Sequence, residues 1–287
     1  MKRNAVIRIV IYSLVIVILL GLLAAGMGAR MYVFSLDLDT GKYEQGSTSI
    51  PAQQLRNIEI EWASGNITIE TADTDTITFQ ETGGTNAEPM VYRQNGDKLT
   101  IKYQQPKVIV GFTSSARKDL VITVPQDWVC SELSVDAASA DLTVSSLTIG
   151  KVELNCASGS CDLTDCTVDE LNLDCASGEI YFSGSLNSLD CDAASANVTA
   201  LLRNVPNSID FDGASGDLDM TLPANSGFSV TMDSLSGNFS SDFETYRKGG
   251  RYVCGTGACE IEVDGVSGDV IIRKGEAVDP LPTIPAP

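Results

Sequence analysis

The chain has 287 residues, 43% of them hydrophobic and 20% charged, with 38 acidic against 19 basic side chains and no histidine. Without an imidazole there can be no Ser-His-Asp or Cys-His hydrolase, no histidine-ligated zinc enzyme and no histidine phosphoacceptor. The acid excess repels nucleic-acid phosphates and anionic lipid headgroups, so no nucleic-acid-binding role is expected and cations or cationic partners are favoured.

The first element in chain order is Ile9–Ala29, a run of apolar and small residues without charge. At about 1.5 Å per residue it is long enough to cross a hydrocarbon core of roughly 30 Å as a single transmembrane helix. Lys2, Arg3 and Arg8 precede it, so residues 1–8 are expected in the cytoplasm and the remainder outside the cell membrane. The alternative is a cleaved signal peptide ending near Gly26-Met27-Gly28-Ala29, although the apolar run exceeds a normal h-region. Either way the body of the protein is extracytoplasmic. The first thirty residues hold four bases and no acid, so the rest carries 15 − 38 = −23. Residues 30–57 read as a polar stalk.

From residue 58 to 273 one short signature recurs eight times: an alternating strand, a small turn containing Ser, then a second alternating strand. Clear copies are IEIEWASGNITIE around Ser64, LSVDAASADLTV around Ser139 and VELNCASGSCDL around Ser158. Others surround Ser177, Ser195 and Ser215, with weaker ones around Ser236 and Ser267. Between Ser139 and Ser236 the serines are spaced by 19, 19, 18, 20 and 21 residues. Four residues before each Ser the side chain is always apolar (Ile60, Val135, Leu154, Leu173, Cys191, Phe211, Met232, Val263). Three after it the same holds (Ile67, Leu142, Cys161, Ile180, Val198, Leu218, Phe239, Val270). Polar residues alternate with these, giving strands with one dry and one wet face.

The expected fold is therefore all-β, a β-solenoid or β-helix-like repeat of about 19 residues per coil, with equivalent residues stacked about 4.8 Å apart. An antiparallel meander would alternate too, but it gives no reason to keep one turn at a fixed interval. Gly follows the Ser in six copies, as suits φ > 0, whereas Ala140 and Ala196 hold that slot in two. The 75-residue gap between Ser64 and Ser139 is expected to hold a looped-out first coil or a small β subdomain, and Ser241–Thr256 a second insertion. Residues 274–287 read as a Pro-rich disordered tail.

The line DLVITVPQDW, the repeated ASG-[DNSE] turns, GFSVTMDSLSGNFSSDF and the closing IEVDGVSGDVII resemble the bacterial putative-adhesin family of unknown function, whose β-strand repeat is similar to that of Lia-type envelope stress proteins. The likeness covers roughly Ile58 to Arg273. It implies a repetitive all-β domain outside the membrane, tied to adhesion or envelope-stress sensing, and it carries over no catalytic residue.

Two outward columns hold the candidate chemistry. Three before each turn Ser stand Glu61, Asp136, Asn155, Asp174, Asp192, Asp212, Asp233 and Asp264. Two after it stand Asn66, Asp141, Ser160, Glu179, Asn197, Asp217, Asn238 and Asp269. Unit charges 4.8 Å apart repel by about 0.9 kcal/mol even at the dielectric of water. Ca²⁺ bridging Asp136, Asp174, Asp192 and Asp212 would relieve that repulsion. The alternative is that Asp and Asn cap the turns by accepting backbone N–H groups, which is favoured because no contiguous D-x-D-x-D-G loop occurs.

Eight cysteines lie outside the apolar run. Cys156 and Cys175 share one inward column, and Cys161 and Cys191 also take core positions, so buried free thiols suit a narrow interior. The better disulfide candidate is Cys254 with Cys259, across CGTGAC. Zinc is not expected without a CxxC pair. Catalysis is not expected either: from Ser131 to Met220 the only bases are Lys151 and Arg203, so a polysaccharide-lyase chemistry lacks its cations. The reading is a membrane-anchored binding or envelope-stress-sensing module for an envelope protein, cell-wall polymer or cationic peptide. A structural adhesin or spacer is the alternative.

Overall fold

Period-2 alternation dictates where the chain can bend and what it can bury, and a computed structural model shows the outcome for residues 43–84, 88–104 and 117–276. The expected cytoplasmic N-terminus, the apolar segment 9–29 and the tail beyond 276 lie outside the described residues. Among those described, no helix is long and apolar enough to cross a membrane.

In chain order the strands begin with β1 (Glu44–Gln45), β2 (Thr48–Pro51), β3 (Asn57–Ala72), β4 (Thr76–Gly83), β5 (Val91–Asn95), β6 (Lys98–Lys102) and β7 (Lys118–Pro125). They continue with β8 (Val129–Ser145), β9 (Thr148–Leu202), β10 (Ser208–Ser215), β11 (Leu218–Leu222) and β12 (Phe228–Ser236). Last come β13 (Phe239–Ser241), β14 (Tyr246–Lys248), β15 (Arg251–Cys254), β16 (Cys259–Ser267) and β17 (Val270–Lys274).

The repeat strands pair in parallel with the signature in register. Ser64 lies opposite Ser139, and Ser139 opposite Ser158. Further along, Ser195 lies opposite Ser215, Ser215 opposite Ser267, and Ser267 opposite Ser236. Parallel in-register pairing is what a solenoid-like stack requires and a meander forbids. The columns predicted to face inward do so: Ile60, Val135, Leu173 and Phe211 are all 3% exposed or less.

Stacking order departs from chain order at both ends. β6 and β7 form a coil outside β3, so the first coil in the sequence is the second in space. At the other end β16 is inserted between β10 and β12. The gap between Ser64 and Ser139 thus holds one further coil together with the strands that cap it, since β4 runs antiparallel to β7 and β5 antiparallel to β6. The second insertion is a hairpin, β14–β15, laid antiparallel on the start of β12. Antiparallel caps close both ends of a stack whose bare edges would otherwise invite pairing with other chains. The fold also begins earlier than residue 58: β1 and β2, in the segment expected as stalk, pair with β5 and β4, and Ile50 and Leu55 are buried.

Glycine follows the turn Ser for a reason the sequence did not disclose. Gly159 has φ 144°, but Gly178 is not in the left-handed region at all. Both lie so close to the coil beneath that a Cβ would come within 2.1 Å of the Ala140 carbonyl oxygen and 2.2 Å of the Gly159 carbonyl oxygen, respectively. Close approach of stacked backbones, more than φ alone, selects the residue. A second turn, unread in the sequence, falls seven residues after three of the serines, where Ser146 and Asp165 both take φ 56° and Gly184 takes φ 139°.

The N-terminal end is locked by a buried lysine. Lys118 is fully enclosed; its Nζ donates to Glu81 Oε2 at 3.1 Å, to the Gln104 carbonyl at 3.1 Å and to the Glu88 carbonyl. It also sits 4.6 Å from the centroid of the Tyr103 ring. Trp62 Nε1 donates to the Lys118 carbonyl at 2.9 Å, joining this end to the first repeat strand.

Candidate functional site, an acidic face

The wet face of each coil is set by the same alternation that fixes the core, so residues two apart on one strand share it. The structure aligns the four proposed Ca²⁺ ligands in one column. Asp136 lies opposite Asn155, Asp212 opposite both Asp192 and Asp264, and Asp264 opposite Asp233; Asp174 belongs to the coil between. Beside it runs a second acidic column that the sequence reading passed over. Asp210 lies opposite Asp190 on one side and Glu262 on the other. The signal was available, because these residues precede the first column by two positions. Adjacent rungs are about 4.8 Å apart and same-strand partners about 6.8 Å.

The two columns singled out from the sequence behave in opposite ways. In the column two after the Ser, Asp141, Asn197, Asp217 and Asp269 each cap a neighbouring coil. Asp141 accepts the Ser160 backbone N–H at 2.8 Å, Asn197 that of Asp217 at 3.1 Å, Asp217 that of Asp269 at 2.8 Å and Asp269 that of Asn238 at 2.9 Å. Accepting the Ser160 backbone N–H holds the Asp141 carboxyl below its usual range. This is the capping expected of Asp and Asn.

In the column three before the Ser, Glu61 is paired with Lys102 Nζ at 3.0 Å and Asp136 accepts Asn155 Nδ2 at 2.9 Å. Among the described residues no hydrogen bond or ion pair reaches Asp174, Asp192, Asp212 or Asp264. The two bases of the central coils are engaged elsewhere, Lys151 with Glu153 and Arg203 with Asp165. Desolvation by the stacked neighbours, then the charges of Asp210, Asp264 and Asp192, pushes Asp212 up to about 6. Asp174, Asp192, Asp210 and Asp264 are raised by the same two causes in the same order. The result is a stripe of mutually repelling carboxylates along one flank.

Its shape is shallow. A groove of about 290 Å³ is lined by Glu153, Asn155, Asn172, Leu173, Asp174, Asp190 and Asp192. A larger open depression, about 500 Å³, lies between β2 and β5, lined among others by Glu44 and Arg93; its mixed charge sets it apart from the stripe. Among the described residues no three Cys, Asp or Glu side chains converge closely enough to hold a metal ion. The carboxylates stand in file, which suits a spread of positive charge along the stack better than one compact ion.

That geometry has a measurable consequence. A carboxyl whose folded pKa is raised binds its proton more tightly in the folded state. The stabilisation is fully present at and below the ordinary value of 3.8 and is lost as pH rises through about 6 for Asp212. Melting temperature should therefore climb as pH falls from 7 towards 5. Asp212→Asn should flatten that slope and raise stability at pH 7 by on the order of 1 kcal/mol once solvent screening is allowed for. At equal ionic strength NaCl and CaCl₂ should stabilise alike, by screening. A Ca²⁺-specific shift abolished by Asp174→Asn with Asp192→Asn would instead establish ion binding between rungs.

The cysteine placement corrects one expectation. All eight cysteines are free and buried. Cys254 and Cys259 flank Phe228 on opposite sides, on β15 and β16. Two strand spacings separate their Cα atoms by about 9.5 Å, beyond disulfide reach. The turn serines form a ladder, Ser158 Oγ on Ser139 Oγ at 3.4 Å and Ser215 Oγ on Ser195 Oγ at 3.3 Å.

Comparison with known proteins places this architecture. Solved structures similar to this chain match it at low identity. A putative cell adhesion protein from Clostridium sporogenes is 12% identical over 82% of this chain and 100% of its own, with a TM-score of 0.32. A putative adhesin from Bacteroides fragilis is 13% identical over 79% and 97%, with a TM-score of 0.44. A putative lipid binding protein from Parabacteroides distasonis is 16% identical over 82% and 98%, with a TM-score of 0.27. No curated protein matches the chain. The profile of the Toastrack DUF4097 family matches residues 55–199 and again 181–273. The two overlapping matches span 273 − 54 = 219 of 287 residues, and the chain belongs to the Toastrack DUF4097 family.

Proposed function

We propose that the protein is a non-catalytic binding module, held outside the cell membrane by its N-terminal apolar segment, that captures a cationic partner along its acidic face. The observation that carries this reading is the unneutralised stripe from Asp174 through Asp190, Asp192, Asp210 and Asp212 to Asp264, on a rigid stack. A protein gains no stability from such a stripe when alone, because each stacked pair of charges is repulsive. A polycation laid along it removes the repulsion and releases the stabilisation. Location outside the membrane is supported by the uncharged run Ile9–Ala29 behind Lys2, Arg3 and Arg8. A cationic peptide or a basic patch on an envelope protein fits the periodic charge best, and cationic groups on a cell-wall polymer share that chemistry. Envelope-stress sensing would then be the coupling of this capture to a membrane partner.

The test is retention of a lysine-rich peptide by the full chain in detergent. Capture should weaken at least tenfold between 50 and 300 mM NaCl, and again on replacing Asp190, Asp210 and Asp212 by Asn. Binding indifferent to both salt and the triple substitution would remove the acidic face from the function.

A further inference from the structure

We infer that Cys156 and Cys175 form a thiol–disulfide site, which takes an oxidant of the disulfide class and closes into a cross-link between two adjacent coils. The two residues hold the same position of the repeat, two before Ser158 and Ser177, on coils stacked directly upon one another. Their Sγ atoms lie 2.9 Å apart in the buried interior. Stacked equivalent positions have Cα atoms about 4.8 Å apart, inside the range of about 4.4–6.8 Å that a disulfide spans. Among the described residues no other two cysteine sulfurs are in hydrogen-bonding contact. Cys130, Cys166 and Cys254 instead direct their thiols to backbone carbonyls of Glu132, of Val144 and Thr164, and of Ser226.

The electrostatics favour one order of events. Hydrogen bonding from Cys175 holds the Cys156 thiol below its usual range, and that same bond raises Cys175. Burial pushes Cys130, Cys191 and Cys259 up to about 12, leaving those thiols inert. The Cys156 thiolate attacks one sulfur of the oxidant RSSR, forming a protein–SR mixed disulfide and releasing RS⁻. Cys175 then loses its proton and attacks the Cys156 sulfur, the S–SR bond breaks, and a second RS⁻ leaves. Two electrons pass to the oxidant, and the two protein protons end on the released thiols as 2 RSH. The neighbouring coils carry Ala137 and Ala193 in this column, so the cavity there suits small side chains and tolerates Ala in place of either cysteine.

The experiment incubates the reduced full chain, folded, with oxidised glutathione, then counts thiols after denaturation and digests with a protease cutting at Asp and Glu. Several acidic residues separate the two cysteines, so peptides bearing residues 156 and 175 stay joined only through a new bond. The expected count falls from eight to six, the joined pair is Cys156 with Cys175, and the urea midpoint of the oxidised protein rises. Cys156→Ala should keep all of its remaining thiols under the same treatment and fold as the parent does. Retention of eight thiols, stable glutathione adducts, or a bond between any other pair would overturn the assignment.

Discussion

Lys118→Met is expected to cost the fold about 3–5 kcal/mol, the usual penalty for removing one partner of a buried ion pair. The lysine is fully buried and Glu81 beside it is only 14% exposed, so neither charge can turn to water when the other is lost. The substitution also strips a donor from the carbonyls of Glu88 and Gln104, which close the outermost coil. For a domain of this size the loss corresponds to a drop of roughly 6–20 °C in melting temperature. Glu81→Gln in the Lys118→Met background should recover part of it by removing the stranded carboxylate, while the two carbonyls remain unpaired. Urea unfolding of the single and double variants measures both steps. A single-variant change below about 1 kcal/mol would mean the lysine is incidental to the cap.

Leu173→Asp and Phe211→Asp should each abolish folding, because an unpaired carboxylate would enter a dry column with no route to water. The parent side chains are 2% and 3% exposed. Leu173→Ala, which only opens a cavity, should cost about 2–5 kcal/mol and leave a folded protein. Met232→Asp supplies the contrast. It occupies the same position of the repeat, yet its coil is the last in the stack and the side chain is only partly buried, so it should stay folded with a much smaller penalty. Circular dichroism and protease resistance of the four variants decide the matter. Native-like Leu173→Asp protein, or a Met232→Asp variant as damaged as Phe211→Asp, would contradict the stacking order.

The same contrast marks how far the candidate site could be read from the chain. The column holding Asp136, Asp174, Asp192 and Asp212 was legible, since it is locked to the core column by one residue of offset. Its neighbour through Asp190 and Asp210 is equally fixed by alternation, but it lies two positions farther from the turn that defines the repeat. Which carboxylates were capped was not legible. Asp141 and Asp212 look alike in sequence, but one meets the Ser160 backbone N–H of the next coil and the other meets only further carboxylates.

What the sequence by itself determined is everything local and periodic: strands of alternating burial, a turn every 19 residues or so, in-register stacking and an acidic exterior. These follow from a period of two and from the requirement that one face be dry. Only the tertiary structure decided which coil lies against which. The insertion of β3 between β6–β7 and β8, and of β16 between β10 and β12, costs nothing in the local pattern, because every coil presents the same edge and the same column to any neighbour. Near-identical repeats cannot encode their own order in their periodicity. The ends do so instead, through features that occur once: the Lys118 lock on one side and the β14–β15 hairpin on the other. The pairing of Cys156 with Cys175 rather than Cys254 with Cys259 has the same origin, since disulfide reach depends on which strand runs between two residues and not on how few positions separate them.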